Sequence, residues 1–175
     1  GAIFIAIFSV RDSLLLTLDD ALKYWQFDVG VSFEQSERIS EVERVPRQVP
    51  GVAAVEGWGF KGVRRSRPDG TESDNILLVA PPAETVMLQA TLLEGRWLLP
   101  TDTNALVINS DLQDDETDLK LGDELLLKFG RRETSWQVVG VVQGVLSGPI
   151  AYANYPYFAH EAREVGQVGG VQIVA

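Results

Sequence analysis

The stretch from Asp28 to Trp58 limits the possible folds more than any other part of the chain. It opens with a short apolar strand, Asp28-Val29-Gly30-Val31-Ser32-Phe33, and passes through a polar segment of helical character. It closes with Val49-Pro50-Gly51-Val52-Ala53-Ala54-Val55-Glu56-Gly57-Trp58. Ser36 is the predicted N-cap, and Glu37, Glu41 and Glu43 sit early in the helix, where its dipole favours negative charge. Ile39, Val42 and Val49 are predicted to share one face. Pro50-Gly51 stops the helix, and Val52 to Val55 is a compact apolar run suited to a buried strand. The pattern is a β-α-β unit with its helix lying on a sheet. Pro46 removes one helical hydrogen bond and is predicted to kink or split that helix.

Such a unit needs more chain to cover it. The 175 residues suffice for one domain or two small lobes, burying roughly 70% of the unfolded surface. A hydrophobic share of 45% and a charged share of 23% suit an ordinary folded core. The net charge of -10 argues against a nucleic-acid role, which needs a basic face for phosphates, and against an anionic membrane surface. With no cysteine, disulfides, thiol catalysis and Cys-based metal sites are excluded.

Gly1 to Phe8 is almost wholly apolar, yet far shorter than the ~20 residues a helix needs to cross a bilayer, and it lacks the basic start and cleavage site of a signal peptide. It reads as a buried first strand or as the end of a membrane helix. Leu14, Leu18, Ala21, Leu22 and Trp25 recur at helical spacing, which predicts one long helix, apolar at its start and amphipathic after. Gly57-Trp58-Gly59-Phe60-Lys61-Gly62 has the letters of a dinucleotide motif, but no helix starts inside it. The glycines are therefore assigned to a long strand with crowded neighbours. Lys61, Arg64, Arg65 and Arg67 on that strand read as a solvated edge protected by charge. The oxygen-bearing groups Asp69, Glu72, Asp74 and Asn75 in one loop, and Asp111, Asp114, Asp115, Glu116 and Asp118 in another, lack calcium-loop spacing and read as solvated acidic loops.

Asn75 to Ala80 is a strand, and Ala80-Pro81-Pro82 is predicted to turn into a short helix reaching Leu88. Thr91 to Trp97 reads as a boundary between two lobes. The second lobe reads as all-β, with strands at 104–109, 124–129 and 135–142, a turn at Leu119 to Asp123 and a hairpin at Gly130 to Glu133. Ser147 to Phe158 is the most aromatic stretch. Its Tyr152, Tyr155, Tyr157 and Phe158 form the candidate interaction surface, with interior packing as the other reading. Gly169 to Ala175 is a final strand.

Five stretches together resemble the extracytoplasmic core domain of ABC-transporter permeases of the MacB/FtsX type: Ser9 to Leu14, Val49 to Trp58, Leu92-Leu93-Glu94-Gly95-Arg96-Trp97-Leu98, Leu121-Gly122-Asp123 and Val138-Val139-Gly140-Val141-Val142. The resemblance implies an α+β fold. Residues 1–25 would end the first transmembrane helix and form a stalk helix. Residues 26–91 with 168–175 would form a discontinuous, βαβ-containing porter-like lobe, and 92–167 an inserted β-rich lobe. The last strand would return beside Asp28 to Phe33. The same resemblance implies a non-catalytic domain on the extracytoplasmic side of the cell membrane, coupling ATP-driven movement of membrane helices to substrate export or release. Its partners would be a cytoplasmic ABC ATPase subunit, a second permease subunit and an adaptor protein, with no cofactor.

Residue chemistry agrees with the non-catalytic reading. His160 is the sole histidine and has no cysteine to share a metal with. Gly144-Val145-Leu146-Ser147-Gly148 is one letter off a nucleophile elbow, and no Walker-type phosphate loop is present. The competing reading is a standalone extracytoplasmic module that binds a ligand or protein through Tyr152 to Phe158.

Overall fold

The computed structural model describes residues 23–145 and 147–175. The predicted stalk and membrane-helix end lie outside the described residues, apart from helical Lys23 and Tyr24 and from Trp25, which bridges Leu88. The motif from Ser9 to Leu14 lies outside them as well.

Val29–Arg38 forms β1, Ile39–Arg47 helix α1 and Ala54–Ser66 strand β2. The last strand of the chain, Gln167–Val174, lies between β1 and β2 and is antiparallel to both, so that Val171 faces Val31 on one side and Gly57 on the other. The β-α-β unit is therefore split, with a third strand between its two parallel strands. Helix α1 docks through Glu43, whose carboxylate accepts the Gly57 N–H at 2.9 Å and pairs with Arg47 at 2.8 Å.

Three local expectations change here. Ser36 does not cap the helix: it lies in β1, and its hydroxyl donates to Glu164 at 2.9 Å. Pairing of β1 with the last strand resumes at Glu37 and Arg38 after a bulge, and this keeps the backbone extended to Arg38. Pro46 does not split the helix. It lies one residue from the end, where Gln48 and Val49 donate to the Val45 and Pro46 carbonyls at 3.1 and 3.0 Å. Val49 is past the helix and is exposed, so it does not share a face with Ile39 and Val42.

Ile76–Ala80 (β3), Leu92–Gly95 (β4), Ala105–Asn109 (β5), Glu124–Phe129 (β6), Arg132–Val142 (β7) and Ile150–Tyr152 (β8) follow, which makes the last strand β9. Ladders β2–β3, β3–β8, β8–β5, β5–β7, β7–β6 and β6–β2 close a ring of six strands, parallel at β3–β8 and β5–β7 and antiparallel elsewhere. One strand serves both assemblies. Residues 54–58 of β2 pair with β9, 59–63 with β3 and 64–66 with β6. Within the basic stretch only Arg65 departs from the expected solvated reading: it is buried, whereas Arg64 is exposed and Lys61 and Arg67 are half-buried. Strands β2 and β3, expected in the first lobe, supply two sides of the ring.

The ring closes on Val63, Ile76, Leu78, Leu106, Ile108, Leu127, Trp136 and Val138. Alternate residues of the same strands, Val79, Val107 and Tyr152, point outwards into a second cluster with Trp58, Met87, Leu88 and Leu98. Burial of both faces explains why β5 is apolar from Ala105 to Ile108 instead of alternating.

The second lobe is not all-β. Ser110–Asp115 is helix α2 and Tyr155–Ala162 is helix α3. Asn109 starts α2 by accepting the Leu112 N–H at 3.0 Å, a short polar turn that shows no apolar period. Helix α3 is hidden in the aromatic stretch, with Pro156 in its first turn. Conversely, no helix follows Pro82. The chain turns at 83–84 and bends at 86–87, and Leu88 bridges Trp25. The Met87 carbonyl accepts from the Gln26 N–H and the Gln89 N–H donates to the Tyr24 carbonyl, each at 2.9 Å.

Candidate functional site

Residues 24–28 enter the domain through an aromatic junction. Tyr24 is 4% exposed, and its hydroxyl lies 2.5 Å from that of Tyr152 on β8. Burial pushes the Tyr24 phenol up to about 12, only partly offset by the Tyr152 hydrogen bond, and burial raises Tyr152 as well. Both are therefore neutral, and one hydroxyl donates to the other. From Tyr24 the rings run in contact through Trp25, Phe27, Trp58 and Phe60, with centroids 4.9, 5.9, 5.9 and 6.2 Å apart in turn. Each such pair contributes about 0.5–1.5 kcal/mol beyond its area. Polar atoms at the margin are satisfied: Trp58 Nε1 donates to Glu56 at 2.9 Å and the Thr85 hydroxyl to the same carboxylate oxygen at 2.5 Å.

The junction ends where the chain's last described residue lies. The Asp28 N–H donates to the Ile173 carbonyl at 2.9 Å, and the Asp28 carboxylate accepts the Ala175 N–H at 2.8 Å. Residues 28 and 175 are thus neighbours, and the segment before Asp28 is held against both the ring, through Tyr152, and the β1–β9–β2 sheet, through Ile173.

A second polar centre ties the far end of β2 to the turn after α2. Arg65 donates to Glu116 at 2.8 Å and through both terminal nitrogens to Asp118, also at 2.8 Å. Arg67 donates to Glu116 at 2.8 and 3.0 Å. The Arg67 hydrogen bond, followed by that of Arg65, holds the Glu116 carboxyl below the usual carboxylate range. Glu116 is therefore a buried ion-pair partner and not part of a solvated loop.

Of the four aromatic residues expected to form an interaction surface, Tyr152 and Phe158 are 1% and 0% exposed and face the two hydrophobic clusters. Tyr155 is partly exposed and donates to the Gln167 carbonyl at 2.7 Å, and Tyr157 stands edge-on to Trp136 at 5.1 Å. The four do not share one open face, because helical and strand periodicity turn two of them inwards. His160 is exposed beside Glu161. Among the described residues no group of three or more His, Cys, Asp or Glu converges as a metal set. The junction residue Tyr24 and the Arg65–Glu116 pair were not singled out from the sequence, since both depend on contacts across more than fifty positions.

The motifs Leu92 to Leu98 and Val138 to Val142 meet in space. Gly95 and Gly140 are register partners on β4 and β7. A Cβ on Gly140 would lie 2.0 Å from the Arg96 carbonyl oxygen, and one on Gly95 2.3 Å from that of Val139.

No family profile matches the chain, and no curated protein matches it in sequence. Solved structures do match. The extracellular domain of the noncanonic ABC-type transporter YknZ from Gram-positive bacteria superposes with a TM-score of 0.59 at 16% identity, covering 79% of this chain and 72% of that one. The periplasmic region of MacB from Actinobacillus actinomycetemcomitans gives 0.58 at 13% identity, covering 81% of this chain and 66% of that one, just under two thirds. The chain has the mixed α/β fold of these extracytoplasmic transporter domains. Among the described residues no helix is long and apolar enough to cross a membrane.

Proposed function

We propose that this chain is the extracytoplasmic domain of an ABC-transporter permease subunit and that it carries ATP-driven motion of membrane helices outwards to export or release a substrate. The observation that supports this most directly is the junction: Tyr24 is buried in the core, Trp25 and Phe27 pack partly buried against it, and the exposed Asp28 touches Ala175, so the incoming and outgoing chain share one site. A push on the segment before Tyr24 reaches the ring through Tyr152 and the sheet through Asp28 together. In this reading residues 1–25 are the helix end and stalk, 26–91 with 168–175 the porter-like lobe and 92–167 the inserted lobe, with β2 and β3 reaching across into the ring. The domain has no catalytic role, and its partners are a cytoplasmic ABC ATPase subunit, a second permease subunit and an adaptor. A standalone binding module would be left with Tyr155 and Tyr157 alone of its aromatic surface.

The test uses the full-length protein. It is expected to fractionate with membranes and to copurify with an ATPase subunit. With no native cysteine in these 175 residues, single cysteines placed in the stalk can be crosslinked between two protomers. Crosslinking is expected to suppress ATPase activity and transport. If both continue unchanged, the relay is wrong.

A further inference from the structure

On the flank of the ring, a cavity of about 340 Å3 lies between the β6–β7 hairpin and the end of α3. Lys61, Arg131, Arg132 and Arg163 line it, with Phe129 and Ala162 as its apolar wall and Glu161 as its one carboxylate. This concentration of cations stands out in a chain of net charge -10. Two of the cations are already engaged: Lys61 with Glu164 at 3.2 Å, and Arg132 more loosely with Glu161 at 3.8 Å. Arg131 and Arg163 are exposed and form no ion pair among the described residues.

Arg163 is also the only non-glycine residue among those described with a left-handed backbone, at φ 59°. It follows the last turn of α3, a position where glycine is the default because any Cβ is penalised there. An arginine at such a position bears the backbone penalty without an ion pair in return. Strained backbones of this kind collect at binding sites, where the side chain's task lies outside the fold.

We infer that this pocket binds an acidic peptide segment of a partner protein, with carboxylates on Arg131 and Arg163 and an adjoining apolar side chain against Phe129. Guanidinium groups match carboxylates two bonds at a time. The cavity is far larger than a single inorganic oxyanion, and its apolar wall suits a side chain next to the charge. An anionic bilayer fits less well, since the domain's own negative charge would be repelled by it. Nothing in the pocket depends on the chain's attachment to a transporter.

The test is a fluorescence-anisotropy titration of the chain with a labelled peptide of alternating glutamate and leucine, at low and at physiological salt. Binding is expected, weakening as salt rises. Arg163→Gly is expected to weaken it at least tenfold while leaving the melting temperature unchanged or higher, because glycine suits the backbone. Arg131→Glu is expected to weaken it similarly. The proposal is overturned by absence of binding to the wild-type chain, by equal affinity in Arg163→Gly, or by a fall in the melting temperature of that variant, which would make Arg163 structural. It is equally overturned if a lysine–leucine peptide or inorganic phosphate binds as tightly, or if phosphatidylglycerol vesicles capture the chain and the peptide does not.

Discussion

Gly140 and Gly59 both occupy places where a side chain has no room, but their neighbours differ. At Gly140 an added methyl meets the Arg96 carbonyl oxygen at 2.0 Å, and at Gly59 it meets Phe158 Cε1 at 2.3 Å. Backbone cannot turn aside, whereas a packed ring yields a little. Gly59→Ala should cost about 1–3 kcal/mol and Gly140→Ala more, read from urea midpoints. Equal stability of Gly140→Ala and the wild type would contradict the close crossing of β4 and β7. The two buried tyrosines make a complementary case. Tyr24→Phe or Tyr152→Phe alone leaves a buried hydroxyl without its partner, at a cost of about 1–3 kcal/mol, whereas the double variant loses less than the sum. Additive losses would mean that the hydroxyls do not interact. Gly95 and Gly140 were both visible in the sequence, as was the crowding around Gly59. Their meeting across β4 and β7 was not, because forty-odd residues separate them and no periodicity reports such a pairing.

The strand β2 and the turn after α2 are joined by Arg65 and Glu116, whose side chains are 5% and 3% exposed. Removing one member of a buried ion pair strands the other, so Glu116→Ala should cost about 3–5 kcal/mol. The pair also sets an acid limit. The carboxyl's folded value lies below its unfolded one, so its stabilisation is complete above the ordinary carboxylate range, about pH 4.3, and is lost as pH falls through the folded value. Urea midpoints should fall with acid below about pH 4, and less steeply in Glu116→Gln. An identical acid slope in the variant would assign the effect to other carboxylates. Strands β5, β6 and β7 were legible because their residues are apolar or alternate between apolar and polar, and the Gly130 turn marks the β6–β7 hairpin. Helices α2 and α3 were not, since one is a single polar turn and the other reads as an aromatic run. Arg65 was misread because a basic residue in a strand looks solvated until its partners, fifty residues away, are known.

Across the whole molecule, order depends on the last strand. β9 lies between β1 and β2, so the sheet that holds α1 cannot form until residues 167–174 are present. A chain lacking 167–175 should lose hydrogen-exchange protection at the amides of β1 that pair with β9, while a chain with Val171→Ala keeps most of it. Protection of β1 in the shortened chain would mean that it pairs elsewhere. The β-α-β unit was visible from the Pro50-Gly51 stop and the flanking apolar runs; that a third strand splits it was not. Closure of the ring was not, because it joins strands from both halves of the chain and no local pattern encodes which strand meets which. That closure also bears on how such proteins can be recombined. Since β2 is one continuous strand with a place in both the sheet and the ring, a crossover anywhere in residues 54–66 would join mismatched halves of two hydrophobic interiors at once. Chimaeras between relatives, or reporters inserted to follow movement, belong instead at the exposed Asp69–Gly70 turn, which lies outside every ladder.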